Sequence, residues 1–169
     1  MVTNESITRR AMELQRRFET RDPFRIAEQL GIDVIYTDQL KRLKGMYRVI
    51  KRNRFIILNS KNSGHLNRIV CAHELGHDQL HRKFAGEQAL QEFELYDMST
   101  HREYEANIFA AGLLIDRDEL LEMIAEGCDV VQIAAATETD INLVALKVDS
   151  LIHEGYRLRA QEHDNKFLK

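Results

Sequence analysis

Proline occurs once in the 169 residues, tryptophan is absent, and there are only two cysteines. Two thiols, Cys71 and Cys128, cannot build the disulfide framework of a small secreted domain, and both are expected to be reduced packing residues. No apolar run approaches the ~18 residues that a membrane-crossing helix needs. The first twenty residues lack the apolar stretch of a signal peptide and carry Arg9, Arg10, Arg16 and Arg17 among acids. These absences lead to the expectation of a cytoplasmic protein with no membrane contact. With 44% hydrophobic and 30% charged residues, the chain has the composition of an ordinary globular protein and the length for one core.

Basic residues are also scarce where a DNA reader would need them. Residues 116 to 155 hold 2 Lys or Arg against 10 Asp or Glu, a balance of −8, whereas residues 1 to 60 hold 13 against 7, a balance of +6. Helical patterns at about 129 to 136 and 140 to 154, with Thr137 to Asp140 between them, look like a helix-turn-helix. The acidic balance argues against direct DNA binding and for a helical cap or docking surface.

What the chain does contain is the run His73-Glu74-Leu75-Gly76-His77 inside residues 63 to 81. On a helix, Leu66, Ile69, Val70, His73, His77 and Leu80 share a face about 100° wide, so both histidines point inward. Side chains four apart stack one turn above each other, within reach of one ion about 2 Å from each ring nitrogen. Glu74 projects at the rim of that face, where a carboxylate can act on a water beside the ion without replacing a ligand. This H-E-x-x-H spacing is that of zinc hydrolases. Neutral imidazoles leave Zn²⁺ nearly its full charge, which lowers the pKa of its water to roughly 7. His81 lies eight residues beyond His73, about 12 Å along the axis, and no glycine between them folds it back. It is therefore expected to cap the helix or to support a ligand, not to bind the ion.

The third ligand is sought in the helix expected at about 101 to 115, capped by Thr100. The candidates are His101, Glu103 and Glu105. Glu103 heads a face with Ala106, Asn107, Ala110 and Leu114, whereas Glu105 points about 200° away and His101 about 160° away, toward the side expected in water. Glu103 is therefore the expected ligand. Alanines along its face would let this helix approach the histidine helix, and Asn107 can accept the free imidazole N–H of a ligand histidine.

Ahead of the histidine helix, residues 5 to 19 and a short helix begun by Asp22 and Pro23 and ended by Gly31 are expected to pack as supports. Ile32 to Tyr36, Gly45 to Ile50 and Arg54 to Asn59 read as strands, the last two joined through Lys51-Arg52-Asn53. Phe55 to Leu58 or its partner strand is the candidate edge for holding an extended peptide. Residues 82 to 99 are expected to form a loop, and residues 156 to 169 a tail of little periodicity.

Taken together, His73-Glu74-Leu75-Gly76-His77 with Leu80-His81, then Glu103-Tyr104-Glu105-Ala106-Asn107-Ile108-Phe109-Ala110-Ala111 and Leu113-Leu114, resemble the ImmA/IrrE family of zinc metallopeptidases over roughly residues 20 to 155. The chain departs from that family's frequent proline after the Leu-Leu pair, carrying Ile115-Asp116 instead, which touches a helix end and not the chemistry. The resemblance implies that His73, His77 and Glu103 bind zinc, that Glu74 is the general base, and that the substrate is a helix-turn-helix repressor of a phage or mobile element, cleaved to derepress genes.

The expected fold is α+β, a small and largely antiparallel sheet packed on a zincin-like active-site helix, with a helical C-terminal portion. Residues 1–115 form the expected metallopeptidase core, 116–155 the helical cap and 156–169 the tail. The alternative is a non-catalytic zinc-containing regulatory protein that docks to a transcription regulator. Three protein ligands beside a carboxylate suited to activating water favour catalysis, since structural zinc is usually closed by four. Tyr96, Tyr104, His65 and His101 are candidate donors to an oxyanion, and two histidines with a carboxylate also suit manganese.

Overall fold

The computed structural model describes residues 3–85, 90–92 and 100–158. Helix α1 (Asn4–Phe18) starts where Thr3 accepts from the Ser6 backbone N–H, and α2 (Pro23–Gln29) where Asp22 accepts from that of Phe24. In each case the cap satisfies a backbone donor that has no partner inside the helix. Gly31 then takes φ +68°, a conformation open to glycine at little cost, and turns the chain into β1 (Ile32–Thr37). Strands β2 (Gly45–Ile50) and β3 (Asn53–Asn59) form a hairpin whose turn residues, Lys51 and Arg52, both have positive φ. That is the turn geometry whose twist matches paired strands.

The sheet order is β1-β3-β2-β4, with β4 at Leu90–Glu92. Strand β3 runs parallel to β1 and antiparallel to β2, and β2 runs antiparallel to β4. Two of the three pairings are thus antiparallel, and the α+β expectation holds. The expected substrate edge at Phe55 to Leu58 does not. Both sides of β3 are paired, as are both sides of β2 at Gly45–Tyr47, so the edges are β1 and β4. Alternation of apolar residues revealed the strands but not their order, because an inner strand and an edge strand share that pattern.

Tyr47, Ile56 and Leu58 are fully buried beneath α3 (Gly64–Ala85), the histidine helix. It extends four residues beyond the expected end, so residues 82–85 are helix and not loop, and residues 90–92 are strand. The remainder of the expected 82 to 99 loop lies outside the described residues, as does the tail from residue 159. A ring of amides holds the entry of α3. Asn59 donates to Leu43 O at 2.9 Å, Asn62 to Lys44 O at 2.9 Å, and Asn67 to Asn59 O at 3.3 Å.

Helix α4 (His101–Leu114) starts at the Thr100 cap and is the centre of the helical layer, packed by α1, α3 and the C-terminal α7 (Ile141–His153). Between α4 and α7 lie α5 (Arg117–Ala125) and α6 (Val130–Ala136), and Asp116, Asp129 and Asp140 cap α5, α6 and α7. Every residue from Glu105 to Leu114 is buried.

Helices α3 and α4 approach closely at Gly76. A Cβ placed there would sit 3.0 Å from Ala106 Cα and 3.1 Å from its carbonyl oxygen. Valine at this position must push the two helices apart. Gly76→Val is expected to cost about 1–3 kcal/mol through overpacking and also to shrink any stabilisation by added zinc, measured as urea unfolding with and without the ion. An undiminished zinc effect would mean that helix spacing does not set the site.

Candidate metal centre

His73 and His77 lie a turn apart on α3, each about 1% exposed, and Glu103 comes from the first turn of α4. Their ligand atoms lie within 4.8 Å of one another. The His73 and His77 Nε2 atoms are 3.1 Å apart, and the Glu103 Oε2 atom is 3.1 Å from the first and 3.4 Å from the second. A tetrahedral zinc with bonds of about 2.0–2.1 Å separates its ligand atoms by about 3.3–3.4 Å, so the three atoms are spaced as one ion requires. All three residues singled out in the sequence as a metal-binding set are brought together.

The far side of each ring is held as well. His73 Nδ1 lies 2.9 Å from Asn107 Oδ1, the contact anticipated for that asparagine. The Asn107 carbonyl oxygen can only accept, so the His73 Nδ1–H donates and the lone pair is left on Nε2. His77 is held by a longer chain. Glu105 Oε2 accepts from His81 Nε2–H at 2.8 Å, which leaves His81 Nδ1 to accept from His77 Nδ1–H at 3.1 Å. Both Nε2 atoms therefore face the Glu103 carboxylate, and two imidazole nitrogens with a carboxylate oxygen at these distances could hold a single cation.

Charge states agree with that reading. Burial pulls the His77 imidazole down to about 4, with the hydrogen bond to Glu103 only partly opposing. Burial alone would raise the Glu103 carboxyl, but the two imidazoles more than offset it and hold the group well below the usual carboxylate range. A neutral imidazole and an ionised carboxylate are the forms that bind a metal.

His81 thus contacts the His77 ring, in keeping with one of the two roles expected of it, but Glu105 corrects the sequence reading. It was placed in water and is 6% exposed, with His101 Nε2 at 3.1 Å from its other oxygen. The angular argument fails here because α4 is covered on several sides and has no water face beyond its first turn. Replacing His81 with Phe, which fills the space but cannot accept, should weaken zinc binding about 10–100-fold. A chelator competition assay reads this directly, and an unchanged affinity would show that His77 needs no outer partner.

Glu74 is fully buried, and its Oε1 lies 3.2 Å from where a Cβ on Gly45 would stand. Gly45 opens β2 and pairs with Glu92 of β4, so the sheet runs up to this carboxylate. Nothing in the spacing of the sequence marked Gly45, since its role rests on a long-range approach. Of the candidate oxyanion donors, the Tyr104 hydroxyl accepts from Asn4 Nδ2 of α1 at 2.8 Å, and His101 is paired with Glu105. His65 is exposed, about 12 Å from His73 along α3. Tyr96 lies outside the described residues.

The sequence reading also missed a second buried cluster beside the first. The Asp78 carboxylate, 0% exposed, accepts from the Tyr47 hydroxyl at 2.6 Å, from Arg54 Nη1 at 3.2 Å and from Arg82 at 2.9 Å. Arg54 also donates to the Leu30 carbonyl at the end of α2. One acid therefore ties α3 to β2, β3 and α2 immediately after His77.

Residues 27–148, which include His73, Glu74, His77 and Glu103, match the model of a peptidase family described as the IrrE N-terminal-like domain. A curated relative, the "Uncharacterized immunity region protein 2" of Bacillus phage phi105, is 35% identical over 102 residues, 60% of this chain and 63% of that protein. The aligned part of the chain thus spans less than two thirds of the relative. No helix among the described residues is long and apolar enough to cross a membrane.

Proposed function

This chain belongs to the peptidase family of the IrrE N-terminal-like domain, and on that premise we propose that it is a zinc-dependent endopeptidase that cleaves a helix-turn-helix repressor. The observation that carries the metal reading is the convergence of two Nε2 lone pairs and a carboxylate oxygen at 3.1–3.4 Å. Those distances and donor types fit zinc. His73, His77 and Glu103 would hold the ion, and Asn107 and the His81–Glu105 pair would keep the two rings in the binding tautomer. When bound, zinc polarises the scissile carbonyl and makes water acidic enough to react at neutral pH.

The chain's own contribution to the reaction is Glu74. Its carboxylate takes the proton of the attacking water and passes it to the departing amine nitrogen, which leaves as a neutral group. Burial at this position excludes competing water. The β4 edge is the sheet edge next to Gly45 and Glu74, and an extended substrate segment adding to it would reach the site through main-chain hydrogen bonds. Residues 1–115 carry the chemistry in this reading. The acidic helices of 116–155 serve as a cap or docking surface for the protein substrate.

The phage immunity-region relative is in keeping with a repressor-related substrate. Incubation of the zinc-loaded chain with the repressor encoded beside its gene, followed by mass spectrometry, tests this. Two fragments whose masses sum to the repressor plus one water are expected, and none when a chelator is added. A repressor that binds the chain tightly but stays intact would contradict the enzyme reading and leave docking as the function.

A further inference from the structure

Lys147, in α7, is a buried cation that the metal centre does not use. It is 3% exposed, yet no hydrogen bond or ion pair reaches its amine among the described residues. Its amine is not among the buried polar atoms left without a hydrogen bond, so it meets the water of the cavity that it lines. Burial lowers its pKa, and the more distant Glu154 and Asp116 only partly oppose that.

The side chain lines a cavity of about 280 Å³ between α1 and α7. Its walls carry Arg9, Arg16, Arg117 and Lys147 against two acids, Glu5 and Glu154, an excess of two positive charges. Arg9 is engaged by Glu5 at 2.6 Å and Arg117 by Asp118 at 2.8 Å. Arg16, exposed at the rim, and Lys147, buried, have no acid at ion-pairing distance among the described residues. The remaining lining, Thr8, Met12 and Leu151, supplies one hydroxyl and apolar surface.

We propose that this cavity binds a small phosphate-bearing anion, a phosphate monoester with a short carbon stem, gripped by Lys147 inside and Arg16 at the mouth. A guanidinium fork matches two phosphate oxygens at once, and an ammonium serves as a point charge for a third. The volume suits a ligand of few heavy atoms, and the apolar wall suits its stem. The site is separate from the metal centre. Thr8 packs on Gly112 in the last turn of α4, whereas Glu103 lies nine residues earlier, about 13 Å along the helix. Because α1 and α7 both pack on α4, a ligand spanning them touches the two neighbours of the helix that carries Glu103.

Calorimetric titration of the zinc-loaded chain with inorganic phosphate and with glycerol 3-phosphate, at ionic strength matched by chloride, tests the proposal. Saturable binding of both is expected, with acetate inert. Lys147→Met and Arg16→Gln should each weaken binding at least tenfold. Absence of saturable binding, equal response to acetate, or phosphate binding that survives both substitutions and so belongs to the metal would overturn the proposal. The exposed Arg16→Gln carries the binding test if Lys147→Met does not fold.

Discussion

Glu74→Gln should retain a full equivalent of zinc and lose about 10²–10⁴-fold in cleavage rate, the range that a positioned acid or base contributes. Glutamine has the same shape as glutamate, so the fully buried position between β2 and α3 stays filled and Gly45 keeps its approach. The ligands are other residues, so metal content should not change. What disappears is the group that accepts a proton from water. Metal content by mass spectrometry and cleavage rate on one preparation separate these effects. Equal loss of zinc would move Glu74 into the ligand set, and an unchanged rate would remove it from the reaction.

Asp78→Ala should lower the stability of the metal-free protein by about 3 kcal/mol, toward the low end for breaking a buried pair. The substitution strands the buried Tyr47 hydroxyl and removes the acid facing Arg54, whose side chain is only 19% exposed. Arg82 is 50% exposed and should add little, since a solvated pair is weak. Urea unfolding with chelator present in both samples keeps metal binding out of the comparison. Asp78→Asn, which still accepts from Tyr47, should lose less than Asp78→Ala. A loss under 1 kcal/mol would mean that water replaces the carboxylate and that the cluster does not anchor α3.

Local chemistry made much of this legible from sequence. The Thr100, Asp129 and Asp140 caps begin helices within a residue of where the pattern placed them, because a cap is a contact over two or three positions. The His73–His77 pair was legible for the same reason, one helical turn being a fixed distance. Properties set by distant segments were not. Glu105 reads as a solvent-facing acid until α3 and α1 are known to flank α4, and β3 reads like an edge strand until β1 is found beside it. Asp78 carries no signal at all, because Tyr47 and Arg54 lie on strands more than twenty residues away. Glu103 was preferred on an assumed solvent side that α4 lacks beyond its first turn. That first turn does project Glu103 toward the two histidines.

The central claim is that His73, His77 and Glu103 share a single divalent ion. Zinc-edge anomalous diffraction from crystals of the zinc-loaded chain tests it most directly. One peak is expected, about 2.0–2.2 Å from both Nε2 atoms and from a Glu103 oxygen, with no fourth side chain closing the site. A peak bound elsewhere, or these three side chains resolved without an ion between them, would contradict it.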